Sequence, residues 1–112
     1  MRLACIAGLL MLVTSQSAEA GRTYEGREAA ALRCSNLLSI TAVVLSEAEE
    51  ISKVERDIML FATVAILERH VSGTRAEKQR ALAVVRERRT LLETLEDYQR
   101  NAQRCLRQFP IN

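Results

Sequence analysis

The chain has 112 residues, of which 48% are apolar and 4% aromatic, with 16 basic against 14 acidic side chains and a formal net charge of +2. That is enough for one small domain, and the balance of charge excludes a nucleic-acid binder, which needs a basic stripe facing phosphates. One proline and four glycines leave little turn chemistry for a sheet, while Ala, Leu, Glu and Arg dominate, so the expected fold class is all-α.

The chain opens with Arg2 and an apolar run from Leu3 to Val13, followed by polar residues and the small-residue pattern Ala18-Glu19-Ala20. Residues 1–20 therefore read as a cleavable signal peptide, with processing before Gly21, and residues 21–112 as a single helical domain. The run of eleven is well short of the ~20 residues a membrane-spanning helix needs, so no membrane span is expected in the mature chain. The expected location is exported, periplasmic or secreted. Cys5 would leave with the peptide, and removing Arg2 and Glu19 together keeps the net charge unchanged.

In an oxidising compartment the two remaining cysteines, Cys34 and Cys105, are expected to form one intramolecular disulfide. It would close a loop of about 72 residues, which the chain-entropy relation values at about 4 kcal/mol.

Capping chemistry marks the helix starts. A Ser or Thr hydroxyl accepts from the unpaired amide three residues on, and a Glu at that position reaches back. Thr74 with Glu77 follows Gly73, which places a tight turn at residues 71–74. Ser52 with Glu55, and more weakly Ser46 with Glu49, mark a break between residues 46 and 53. The predicted helices run from about residue 23 to 47, from 53 to 72, and from 75 to just before Pro110.

The third segment carries a heptad-like seam of Ala81, Val84, Arg88, Leu91, Leu95, Tyr98, Ala102, Cys105 and Phe109. The first helix carries Ala30, Cys34, Leu37, Thr41, Val44, Ala48 and Ile51, so both cysteines face the core. In a straight three-helix up-down-up bundle the cysteines would lie roughly 30 Å apart along the axis. A kinked antiparallel hairpin of three helices avoids this: helices one and two run on as one arm and helix three folds back at Gly73. Residue i then faces residue 145 − i, which sets Cys105 roughly 9 Å from Cys34 along the axis and Arg86 and Arg88 near Glu55 and Asp57. The unbroken seam, with no Gly or Pro in it, favours this small bundle, coiled-coil-like and tied by one disulfide, over a four-helix alternative broken near Thr90, where Glu93 three residues on offers a cap box. A two-armed hairpin would leave Leu38, Val43, Leu45, Met59 and Phe61 uncovered.

Catalytic chemistry is not expected. His70, the one histidine, sits at a helix end where a cationic imidazole is favoured, and reads as a capping or solvent-facing residue. Once the cysteines pair, too few ligands remain for a metal, and no cofactor motif is present. Glu47, Glu49, Glu50, Glu55 and Asp57 read as a solvated face, interleaved as they are with Lys53 and Arg56. Arg86, Arg88 and Arg89 could form an anion or phospholipid patch, but Glu87 interrupts them and they too read as a solvated face. The expected function is an exported module acting by protein–protein interaction (binding, chaperone-like or inhibitory), through a protein partner or self-association as a homodimer. A carrier or sensor holding a small apolar ligand between helices is the alternative.

Overall fold

A computed structural model describes residues 22–112. The expected signal peptide and its expected cleavage site lie outside the described residues. Four helices follow in order: α1 (Gly26–Glu47), α2 (Lys53–His70), α3 (Arg75–Glu87) and α4 (Leu91–Gln108), with no strand among the described residues. The fold is an all-α bundle in which Cys34 and Cys105 form a disulfide with their Cα atoms 5.6 Å apart.

Three helices become four, and the continuous arm becomes a hairpin. At the end of α1 the Glu50 amide bonds the Leu45 carbonyl at 2.8 Å and the Glu49 amide bonds Ser46 at 3.1 Å. These are the paired bonds of a Schellman stop, and Glu49 takes the left-handed conformation it requires, with φ 59°. Ser46 is thus part of a helix end and caps nothing. Ser52 then starts α2, its hydroxyl accepting from the Glu55 amide at 3.0 Å. A stop followed directly by a start reverses the chain, so α2 runs back along α1. The junction closes at the other end, where the Tyr24 hydroxyl donates to the Ser72 carbonyl at 2.7 Å.

Glu49 is the one non-glycine residue with positive φ among the described residues. Left-handed backbone costs a residue bearing a Cβ roughly 1–2 kcal/mol, partly offset by the larger chain entropy glycine loses on folding. Glu49→Gly is therefore expected to stabilise the domain by about 0.5–1 kcal/mol. Urea unfolding of the two proteins measures this, and a lower midpoint for the variant would count against the strain.

The second reversal lies at residues 88–90, so the long third helix is two. Thr90 caps α4 with a complete box: its hydroxyl accepts from the Glu93 amide and the Glu93 carboxylate accepts from the Thr90 amide, both at 3.1 Å. No Gly or Pro is needed, because the box satisfies the amides that the break exposes. The physical demand is the disulfide. With α1 and α2 antiparallel, a straight helix from residue 75 would carry Cys105 roughly 30 Å from Cys34, and turning at Thr90 brings it back. The seam accordingly divides. Cys105 and Phe109 are buried and Leu95, Tyr98 and Ala102 partly so, whereas Val84, Arg88 and Leu91 are exposed.

α1 is the central element, since α2, α3 and α4 all lie against it and make little comparable contact among themselves. By length and composition α1 could cross a membrane, yet more than half of that stretch is buried within the fold. Its buried residues include Ala31, Leu32, Cys34, Leu37, Leu38 and Ala42, which join Ala62 and Ile66 of α2 and Cys105 and Phe109 of the C-terminal segment in the core. Small polar residues are interleaved. Ser39 donates to the Asn36 carbonyl at 3.3 Å and accepts from Arg86 at 3.2 Å. Ser35 Oγ, Asn36 Oδ1 and Thr41 Oγ1 are buried without a partner among the described residues.

Candidate functional site

Two surfaces remain once the core is formed. The first follows from unequal helix lengths. α1 is about 33 Å long and α3 about 20 Å. Both start at the Tyr24–Gly73 end, and α3 ends where Arg86 reaches Ser39. The last turns of α1 and the start of α2 therefore project beyond the joint between α3 and α4. On α2, Val54, Ile58 and Phe61 recur at spacings of four and three, hence on one stripe. They are 68%, 62% and 65% exposed. Leu91 and Leu92, at the joint, are also exposed. Of the five residues expected to be uncovered, Val43 and Phe61 are exposed and Leu45 and Met59 are half-buried. Leu38 is buried, because α1 lies at the centre of the bundle with cover on several sides.

The second surface is a cleft of about 380 Å³ between α1 and α3. Leu32 of α1 and Ala81, Val84 and Val85 of α3 supply apolar walls, and Arg22, Arg33, Arg88 and Arg89 supply guanidinium groups. They come from the segment before α1, from α1, and from the joint after α3. The sequence favours a solvated face for Arg86, Arg88 and Arg89 over an anion patch; α3 lying beside α1 places Arg88 and Arg89 on the wall of this cleft. Arg86 leaves the group to bond Ser39, and Glu87 does not line the cleft. The expected pairing of Arg86 and Arg88 with Glu55 and Asp57 does not form: Asp57 accepts from Arg56 at 3.0 Å, and Glu55 from Ser52.

The charges around the cleft differ in how far they are matched. Arg89 is paired with Asp97, leaving its Nε buried and without a partner. Arg22 lies 5.1 Å above the Tyr24 ring. Partial burial pushes the Tyr24 phenol up, with Arg22 acting in the other direction. Glu28 and Glu77, the carboxylates that feel Arg22, are held elsewhere. Glu28 accepts from the Ser72 amide and hydroxyl at 2.6 and 2.7 Å, and these bonds hold its carboxyl below the usual range. Glu77 is lowered in the same way by the Thr74 amide at 2.9 Å. No carboxylate among the described residues is bonded to Arg33 or Arg88, and none lines the cleft.

His70 is half-buried and faces the C-terminal segment. Its Nε2 lies 2.8 Å from the Pro110 carbonyl, and its ring meets Phe109 edge-on at 5.4 Å. It ties the C-terminal segment to α2. Among the described residues no three His, Cys, Asp or Glu side chains are arranged to hold a metal ion. Comparison of the chain with protein-family models, curated proteins and solved structures finds no match.

Proposed function

We propose that the mature domain is an exported interaction module that binds through the outer face of α2, with no catalysis, and that its simplest partner is a second copy of itself. The observation that supports this is the stripe of Val54, Ile58 and Phe61, three large apolar side chains left to solvent on a helix whose opposite side is seated on α1. Apolar side chains at helical spacing on a rigid, disulfide-tied scaffold form a ready surface for another amphipathic helix. A two-fold pairing of α2 with its copy would bury the stripe twice over. The Cys34–Cys105 disulfide supports export within this reading, because an oxidising compartment keeps such a bridge closed.

Sedimentation of the mature protein over a concentration series tests the pairing. A dimer is expected on the order of tens of micromolar. Burying each Phe61 side chain contributes roughly 1.5–3 kcal/mol, and the two-fold doubles it, so Phe61→Glu should weaken the dimer by about a hundredfold or more. Helicity by circular dichroism should stay the same, since Phe61 contributes little to the core of one chain. A wild-type protein that remains monomeric through that range would sink self-pairing.

A further inference from the structure

We propose that the cleft between α1 and α3 binds a small soluble amphipathic anion, its head group held by Arg33 and Arg88 and its apolar body laid on Leu32, Val84 and Val85. This site is separate from the α2 stripe, and neither proposal depends on the other.

Three features carry the inference. First, four guanidinium groups from three parts of the chain line one concave surface that carries no carboxylate. Like charges gathered on low-dielectric walls raise the local potential and draw an anion in. Second, two of the four are already committed, Arg89 to Asp97 and Arg22 to the Tyr24 ring, whereas Arg33 and Arg88 have no bonded carboxylate among the described residues. A guanidinium presents its donors as a planar fork that fits a carboxylate, sulfonate or phosphate oxygen pair. Third, the space between them is walled by Leu32, Val84 and Val85 and has a volume of about 380 Å³. That lies within the range of about 300–1,000 Å³ usual for small-molecule sites. A bare inorganic anion would leave the apolar wall wet, and a neutral apolar molecule would leave the guanidinium groups unmatched. A molecule with one anionic end and one apolar end satisfies both.

The test uses the disulfide-bonded mature protein and two fluorescent probes with the same apolar body, 1-anilinonaphthalene-8-sulfonate and the neutral N-phenyl-1-naphthylamine. The sulfonate is expected to bind one per chain, to be displaced by decanoate, and to weaken as salt is raised. The double substitution Arg33→Gln, Arg88→Gln should weaken it by about tenfold or more. Both residues are exposed, so helicity by circular dichroism should not change. Should that variant fail to fold, Val84→Asp, which sets a carboxylate in the cleft, is expected to reduce binding to a similar degree. Phe61→Glu should leave binding as it was. The proposal is overturned if the neutral probe binds as tightly as the sulfonate, or if the arginine variant retains full affinity. It is equally overturned if Phe61→Glu abolishes binding, or if inorganic phosphate displaces the probe as well as decanoate does. Association with phosphatidylglycerol vesicles that decanoate does not reverse would assign the arginines to a membrane surface and overturn it too.

Discussion

Opening the Cys34–Cys105 bridge is expected to lower the unfolding free energy by about 4 kcal/mol, the entropy of a closed loop of about 72 residues. Small domains have ~5–15 kcal/mol in total, so this is a large share. The loss should fall unevenly. The bridge ties α4 to α1, whereas α1 and α2 are joined by a short turn and hold each other independently of it. Thermal unfolding of the Cys34→Ala, Cys105→Ala protein should show a midpoint roughly 15–30 °C below that of the oxidised wild type. Hydrogen exchange in the variant should show α4 deprotected before α1. A shift of only a few degrees would mean that the unbridged chain already holds its ends together in the unfolded state.

The tie between Cys34 and Cys105, the stop at Gly73 and the box at Thr74 were legible because each rests on local chemistry or on a single pair of cysteines near the two ends of the described chain. Gly73 has φ 100°, where a Cβ would lie 2.8 Å from the Tyr24 hydroxyl. The topology was harder to read. Two boxes, Ser52 with Glu55 and Thr90 with Glu93, are both visible: the first marks the start of α2 without giving its direction, and the second loses weight because no Gly or Pro stands beside it. The first closes a hairpin because Glu49 takes a left-handed conformation that its residue type does not advertise. The second was hidden by a seam that runs through it: Val84 and Leu91 continue the apolar repeat yet are exposed. Periodicity shows which residues could share a face. Whether a helix continues depends also on what its exposed amides can bond, and Thr90 with Glu93 answers that locally.

The surfaces follow the same division. That α2 would be more apolar than its packing requires was readable from residues 58–67, where nine of ten side chains are apolar. The direction of the excess depended on α2 turning back, and so Leu38 is in the core while Ile58 and Phe61 face outward. An anion patch at Arg86, Arg88 and Arg89 could be weighed from the sequence, but its meeting with Arg33 and an apolar wall depends on the fold. Arg33 and Arg88 are far apart in sequence, and only α3 running beside α1 brings them to one cleft.

Phe109→Ala is expected to cost about 3–5 kcal/mol, the usual range for removing a buried aromatic ring. At 1% exposure Phe109 is the largest fully buried side chain among the described residues, although it lies only three residues from Asn112. It closes the end of the bundle where the start of α1 and the ends of α2 and α4 meet. Its amide bonds the Cys105 carbonyl at 3.0 Å as α4 ends. The Arg27 guanidinium of α1 lies 5.2 Å above the ring and donates to the Gln108 carbonyl at 2.9 Å. His70 of α2 meets the ring edge and lies against Pro110. Removing the ring therefore opens a cavity and also loosens three elements that meet on it. Phe109→Leu, which keeps most of the volume, should cost less than about 1.5 kcal/mol. Because Phe109 lies one helical turn beyond Cys105, the two effects should not add. In the unbridged protein the end of α4 is already loosened, so Phe109→Ala should cost less there than in the oxidised protein. Urea unfolding of the four proteins in this cycle measures the coupling. Equal costs in the bridged and unbridged backgrounds would show that the ring and the disulfide hold separate parts of the fold, and would overturn the placement of Phe109 as the plug between α1, α2 and α4.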